Sequence, residues 1–313
     1  LFLQLVETAD VVVENFRPGV MERLSLGYDV LKERRPELIY CAISGFGQDG
    51  PWVHRPAYDQ IIQGASGVMS ITGAPDGPPL RVGYPVADTV GGLTAAFAIA
   101  AALNAPERGA FIDVSMLESV LATMGWVVSN HLIAGVEPAQ HGNENVTSAP
   151  SGAFEAGGGL LNIAANKDEQ WQALAQHIGR EDLLTHPDYA TREDRKRNRL
   201  TLKAELETVL ITRPAREWAR ELNRIGVPAG AVLTVPEALE APQIADRGFL
   251  GTFEDVPGVG RDIDLVRTGI KWDGTAPAVG SPPPQLGAHE REVWGELGLS
   301  PAEINTLRDE GAI

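Results

Sequence analysis

Asp10-Val-Val-Val-Glu-Asn-Phe-Arg-Pro-Gly19 sets the fold class. Three consecutive β-branched residues with no polar alternation read as a buried strand, Asp10 to Glu14. Asn15 to Gly19 breaks it, and Pro18 suits the first turn of a helix to follow. Upstream, residues 1–9 read as the end of a helix. Downstream, Glu37 to Ser44 is a second apolar strand, stopped by Gly45-Phe-Gly-Gln-Asp-Gly-Pro51. Strand, helix and strand at this spacing predict a parallel α/β architecture.

The rest of the chain extends that pattern. Tyr58 to Met69 is expected to be helical, Gly73 to Pro79 a turn, and Thr89 to Leu103 an Ala-rich helix preceded by Asp88. Phe111 to Ser115 leads as a short strand into a long helix through His131. Leu160 to Ala164 is a strand behind Gly157-Gly-Gly159. Residues 167–247 are mostly amphipathic helix, with Trp171 and Trp218 at core positions. Arg192 to Arg199 mixes both signs and reads as a solvated helix face. Residues 274–287 are a Pro- and Gly-rich crossing, and a helix runs from Glu290 to the end.

The chain has 313 residues, 43% of them hydrophobic and 22% charged, with a formal charge of −16. That size suits two domains or one large one. Such an acidic balance argues against nucleic-acid or anionic-membrane partners, although a few arginines can still hold a small anion. Cys41 is the single cysteine, so no internal disulfide or multi-cysteine zinc site is possible. Its apolar surroundings predict a buried structural thiol in a reducing setting. The six histidines show no metal-ligand spacing, so no metal is expected. No signal peptide is visible. The apolar stretch Val90–Ala105 reads as too short for a membrane span and as a buried core helix. The first residue is Leu, not Met, which reads as an incomplete N-terminus.

P-loop, dinucleotide-binding and serine-hydrolase patterns are missing. Asp88, at the start of an apolar helix, admits two readings. It is a preferred capping residue, and it is also a carboxylate in apolar surroundings that could serve as a nucleophile. Arg17 and Arg23 flank a strand-to-helix junction suited to phosphate, or merely balance local acids. Gly157–Gly159 is a turn or a mobile loop.

Longer runs carry a resemblance. Ala9 to Leu24, Ile43 to Pro51, Arg55-Pro-Ala-Tyr-Asp59, Gln63-Gly-Ala-Ser-Gly67 and Pro282 to His289 together resemble the class III CoA transferases, the family of formyl-CoA transferase and L-carnitine CoA transferase. The resemblance implies a Rossmann-like α/β large domain with a smaller α+β domain, in a cytoplasmic, interlocked homodimer. It divides the chain into residues 1–145 (large domain, first β-α-β missing), 146–255 (small domain) and 256–313 (linker and returning segment). It implies no permanently bound cofactor; coenzyme A enters as acyl-CoA substrate, with a small carboxylic acid as co-substrate. Asp88 falls at the nucleophile, forming an aspartyl mixed anhydride and then an aspartyl-CoA thioester. Asn15, Phe16, Arg17, Val20 and Arg23 fall on the CoA-contacting segment, and Tyr58 lies near the thioester. Gly157, Gly158 and Gly159 fall on a loop shielding the intermediate. A racemase of α-methylacyl-CoA esters and a non-catalytic CoA-binding homologue are the alternatives. Racemase relatives carry His-Asp where this chain has Tyr58-Asp59.

Overall fold

The computed structural model describes residues 1–313, which group into two compact units. The first comprises Leu1–Ala153 and Ile163–Glu205, the second Phe154–Asn162 and Leu206–Ile313.

In the first unit the order is α1 (Phe2–Thr8), β1 (Val11–Glu14), α2 (Val20–Arg23), α3 (Tyr28–Arg34), β2 (Ile39–Ser44), α4 (Asp59–Ala65), α5 (Val86–Leu103), β3 (Ala110–Ser115), α6 (Met116–Thr123) and α7 (Trp126–Ala134). β1, β2 and β3 form a parallel sheet in that order. β2 lies in the middle and is buried on both faces, which is why it reads as an unbroken apolar run. Its side chains alternate between two cores. Leu38 and Tyr40 join Val6, Met21 and Leu31 on one side. Cys41 joins Ala95 and Val114 on the other. Burial pushes the Cys41 thiol above its ordinary range, with Glu14 and Asp113 adding to the effect. An inert thiol is the result.

β1 lies at the edge of the sheet and is only partly buried, short of the buried strand its run suggested; Val13 is 54% exposed. The expected helix Tyr58–Met69 ends at Ala65; Gly67, at φ +81°, breaks it before a 3₁₀ turn at Val68–Ile71. The expected helix through His131 is likewise two helices, because Gly125 adopts φ +52°.

α5 starts at Val86, three residues before its expected start, so Asp88 lies inside its first turn. At 18 residues and mean hydropathy 1.7 it is long and apolar enough, by length and composition, to cross a membrane, contrary to the expectation of too short a run. It packs along β2, β3 and α6 through the small-residue stripe Ala87, Gly91 and Ala95. A methyl group at Gly91 would lie 3.0 Å from Met116 Cγ, so glycine sets that close approach. Only these three residues of the helix are fully buried. Leu93 and Phe97 are 66% and 77% exposed, so α5 is not the fully buried core helix that its composition suggested.

Next come β4 (Ser151–Ala156) and β5 (Gly159–Ala164), then α8 (Asp168–His177), α9 (Asp182–Thr185), α10 (Arg192–Arg197) and α11 (Arg199–Leu210). Trp171, Leu174, Leu183 and Leu202 are buried in the first unit. Arg195 corrects the solvated-face reading of Arg192–Arg199: it is 2% exposed. Its guanidinium donates to the Ala149, Tyr189 and Ala190 carbonyls, pairs with Asp168 and lies over the Trp171 ring. One arginine thus satisfies carbonyls from two separate segments, a task no shorter or unbranched cation can do.

The second unit continues with α12 (Ala215–Arg224) and β6 (Ala229–Ala231), and β4, β5 and β6 form a sheet in that order. Its core contains Leu206, Leu210, Trp218 and Leu222, with the Trp218 indole donating to the Leu210 carbonyl at 2.9 Å. An antiparallel pair follows, β7 (Leu250–Phe253) with β8 (Ile263–Val266). Residues 274–287 carry no helix or strand, and the C-terminal stretch is two helices, Glu290–Glu296 and Pro301–Asp309.

Arg195→Ala is expected to lower the unfolding free energy by about 2–4 kcal/mol, because three carbonyls lose a charged donor. Arg197→Ala, at a side chain 70% exposed on the same helix, should stay within about 0.5 kcal/mol. Urea midpoints of the two variants check this; equal losses would contradict it.

Candidate functional site

Parallel pairing in register brings the carboxyl ends of the three strands together: Glu14 pairs with Ala42 and Ser44 with Ser115. The segments leaving those ends must turn away at one edge of the sheet. In open α/β sheets that edge is where ligands bind. Here it holds a cleft of about 330 Å³.

Asn15, Phe16 and Arg17 enter the cleft from β1. They are held in place locally. The Asn15 amide donates to the Ile43 carbonyl at 2.7 Å, and the Phe16 N–H donates to the Glu14 carboxylate at 2.6 Å. Burial raises the Glu14 carboxyl above its ordinary range, against the lowering effect of the Phe16 N–H. From β2 come Ser44 and Gly45. The Ser44 hydroxyl accepts the Gly47 N–H at 3.0 Å, which tightens the turn. Gly45 has no room for a side chain, since a methyl group there would lie 2.5 Å from Ala57 Cβ. That contact brings the Arg55–Tyr58 segment against the end of β2. Arg55 stacks on Trp52 with its guanidinium carbon 4.4 Å from the ring centre, which limits its rotamers and leaves its donors free.

Asp88 lines the same cleft from the first turn of α5. It does not cap that helix. Pro85 is the N-cap residue and makes no side-chain bond; the Ala87 N–H is instead accepted by Asp59 at 2.8 Å. The Asp88 carboxylate has no hydrogen-bond or ion partner in the chain. Its pKa lies above the ordinary value, chiefly through burial and secondly through the Asp59 charge. A carboxylate with no partner, at a helix N-terminus beside unpaired guanidiniums, is a group available for chemistry.

Of the residues singled out from the sequence, Asn15, Phe16, Arg17, Tyr58 and Asp88 therefore meet in one cleft. Val20 and Arg23 do not line it. They lie on α2, a helix of only one turn, so its dipole adds little for an anion. Gly157, Gly158 and Gly159 form the β4–β5 turn in the second unit. Gly158 and Gly159 have φ of +78° and +152°, and a methyl group at Gly157 would lie 2.8 Å from the Arg213 carbonyl. The turn itself requires these glycines. Ser44, Arg55 and Asp59 were given no role from the sequence. Arg55 and Asp59 stand inside the Arg-Pro-Ala-Tyr-Asp run, where their clustering was the available signal.

The model of CoA-transferase family III matches residues 1–290. The acetyl-CoA:oxalate CoA-transferase of Acetobacter aceti is 44% identical over 254 residues, 80% of this chain; the match spans 65% of that enzyme's own length. The succinyl-CoA:mesaconate CoA-transferase of Haloarcula hispanica is 37% identical over 95% of this chain and 76% of that enzyme. The crystal structure of a CAIB/BAIF family protein from Brucella suis superposes with a TM-score of 0.83 at 34% identity, over 95% of this chain and 77% of that one. The cleft at the strand ends thus lies in a chain that belongs to CoA-transferase family III.

Proposed function

We propose that the protein transfers CoA between an acyl-CoA and a carboxylic acid, with Asp88 as the covalent nucleophile. The observation that supports this most is the unpartnered Asp88 carboxylate, in one cleft with Arg17, Arg55 and Tyr58. The steps balance without redox change or water. An Asp88 oxygen attacks the thioester carbonyl, the C–S bond breaks, and CoA leaves as thiolate. The thiolate then attacks the Asp88 carbonyl of the mixed anhydride and expels the donor acid, leaving an aspartyl-CoA thioester. An acceptor carboxylate repeats the exchange in reverse. The Asp88 carboxylate is open to an incoming thioester, and the guanidiniums hold anionic substrates that an acidic protein would otherwise repel.

Oxalate and mesaconate, in the names of the relatives, are dicarboxylates. A cleft with two unpaired arginines suits such acids as well as CoA phosphates. We infer dicarboxylic acids as the acid class, with Tyr58 donating a hydrogen bond near the thioester and Gly157–Gly159 shielding the intermediate. We also infer the Rossmann-like, interlocked homodimeric form; the exposed Leu93 and Phe97 face of α5 supports a covered state.

Asp88→Asn should abolish transfer in the full-length protein. Hydroxylamine should trap Asp88 in the wild type after acyl-CoA is added. Turnover above a few per cent of wild type, with deamidation excluded, would end the covalent role. The same variant should melt slightly higher at neutral pH. A carboxylate whose folded pKa is raised is destabilising when ionised, so the difference should fade as pH falls into the ordinary carboxylate range.

Arg17→Ala should raise the KM for acyl-CoA roughly 10- to 100-fold, from the loss of about 1.5–3 kcal/mol of charge-assisted contact, with a smaller change in kcat. Arg23→Ala should raise it less, since Arg23 lies outside the cleft lining. Steady-state kinetics on both variants decide this, and an unchanged KM for Arg17→Ala would remove it from the binding site.

A further inference from the structure

Asp59 occupies a position for which the transfer chemistry alone gives no reason. It is the first residue of α4, and its carboxylate points across to another helix. One oxygen accepts the Ala87 N–H of α5 at 2.8 Å. The other accepts from the Gln63 amide at 2.7 Å. Gln63 is fully buried and is committed on both sides. Its oxygen accepts the Val82 N–H at 2.9 Å, and its nitrogen also reaches the Tyr84 carbonyl. Asp59 and Gln63 therefore clasp the whole Val82–Ala87 segment that delivers Asp88 into the cleft.

We infer that Asp59 is the positioning residue for Asp88: by taking the cap of α5 it fixes the first turn and leaves the Asp88 carboxylate free to react. This inference rests on the proposed nucleophilic role of Asp88. The physical reason is competition. An Asp in the first turn of a helix would ordinarily turn back onto the open N–H groups. With the Ala87 N–H already bonded to Asp59, that donor is closed to Asp88. A second carboxylate is also a like charge beside the nucleophile, and like charges favour the protonated form. The groups facing Asp88 from each neighbouring element are Asp59 from α4, Arg17 from the segment after β1, and Arg55 and Tyr58 from the segment before α4; α6 contributes the uncharged Met116. Only Asp59 among them opposes ionisation by its charge. The device thus sets both where the carboxylate lies and how readily it ionises.

Two readouts on the full-length protein separate this from a structural role. The first is carbon-13 NMR titration of the aspartate carboxyls, with the Asp88 signal assigned by its loss in Asp88→Asn. The second is the pH profile of kcat/KM for CoA transfer from succinyl-CoA to oxalate. In Asp59→Asn the Asp88 titration and the acid limb of the profile should both move to lower pH. On the plateau, kcat should fall roughly ten- to hundredfold with KM little changed, since a misplaced nucleophile costs about that much. Asp59→Glu keeps the charge, so the titration should stay near wild type and part of kcat should return. An Asp88 signal and acid limb unmoved in Asp59→Asn would overturn the assignment. Loss of the fold in both Asp59→Asn and Asp59→Ser would also overturn it, making Asp59 a folding residue. Failure of the transferase reading would look different: no CoA transfer to any of several dicarboxylates by wild type, or full transfer by Asp88→Asn, while the carbon-13 titration still reports whether Asp59 acts on Asp88.

Discussion

The parallel pairing of β2 with a neighbour on each side is the constraint from which the site follows. Cys41 stands between Val13 and Ile112, and this register ends all three strands at nearly the same level. Three chain segments must leave there, none of them able to continue as strand. Asn15-Phe-Arg17, Ser44-Gly45 and the start of α6 at Met116 are those exits. Their backbone groups find partners only in turns and side chains, as the Asn15 and Ser44 bonds show. A cleft lined by committed backbone and free side-chain ends is the outcome. A slip of one residue at β2 would turn Tyr40 and Cys41 to the wrong cores and dismantle it.

The sheet was legible from residue order because its signal is local. Val11-Val-Val13 and Ile39 to Ile43 are unbroken apolar runs; β2 is covered on both faces as such a run suggests, while β1, at the edge, is only partly covered. Cys41, in an apolar run, and Trp171 and Trp218, on amphipathic helices, read as core from local pattern and are buried. The errors fall where a tertiary partner decides. Arg195 sits in a run of charges that reads as solvated, and its burial is explained by distant partners, the Ala149 and Tyr189 carbonyls and Asp168 among them. Gly67 and Gly125 stop helices because the backbone takes positive φ there, which hydrophobic periodicity does not encode. α5 was assigned to the interior because apolar composition says nothing about which side of a helix meets a neighbour. Small residues at Ala87, Gly91 and Ala95 define the covered side, and Leu93 and Phe97 lie off it.

The candidate site divides the same way. Asp88 stood out because a lone acid at the head of an apolar helix is conspicuous. Its two sequence readings, cap or reactive carboxylate, were separable only by knowing which side chain accepts the Ala87 N–H. That acceptor lies 28 residues earlier in the chain. Likewise Arg17 and Arg23 are equivalent by spacing, yet only Arg17 lines the cleft, while Arg23 ends the one-turn helix α2 outside its lining.

Charge ties these features together. With a net charge of −16, the protein's far field opposes any anionic substrate. Local guanidiniums can reverse that only at short range, where salt and distance do not screen them. Arg55 is held for this by Trp52 instead of by an acid, so its positive charge is not spent on an internal ion pair. Asp88 likewise makes no ion pair and no hydrogen bond, and it has an acid, Asp59, for a neighbour. Where Asp168 neutralises Arg195 and Glu221 pairs with Arg213, the chain shows that it can satisfy its charges when nothing else needs them. At the strand ends Arg17, Arg55 and Asp88 have no ion-pair partner and line one cleft, which gives that cleft capacity for a ligand.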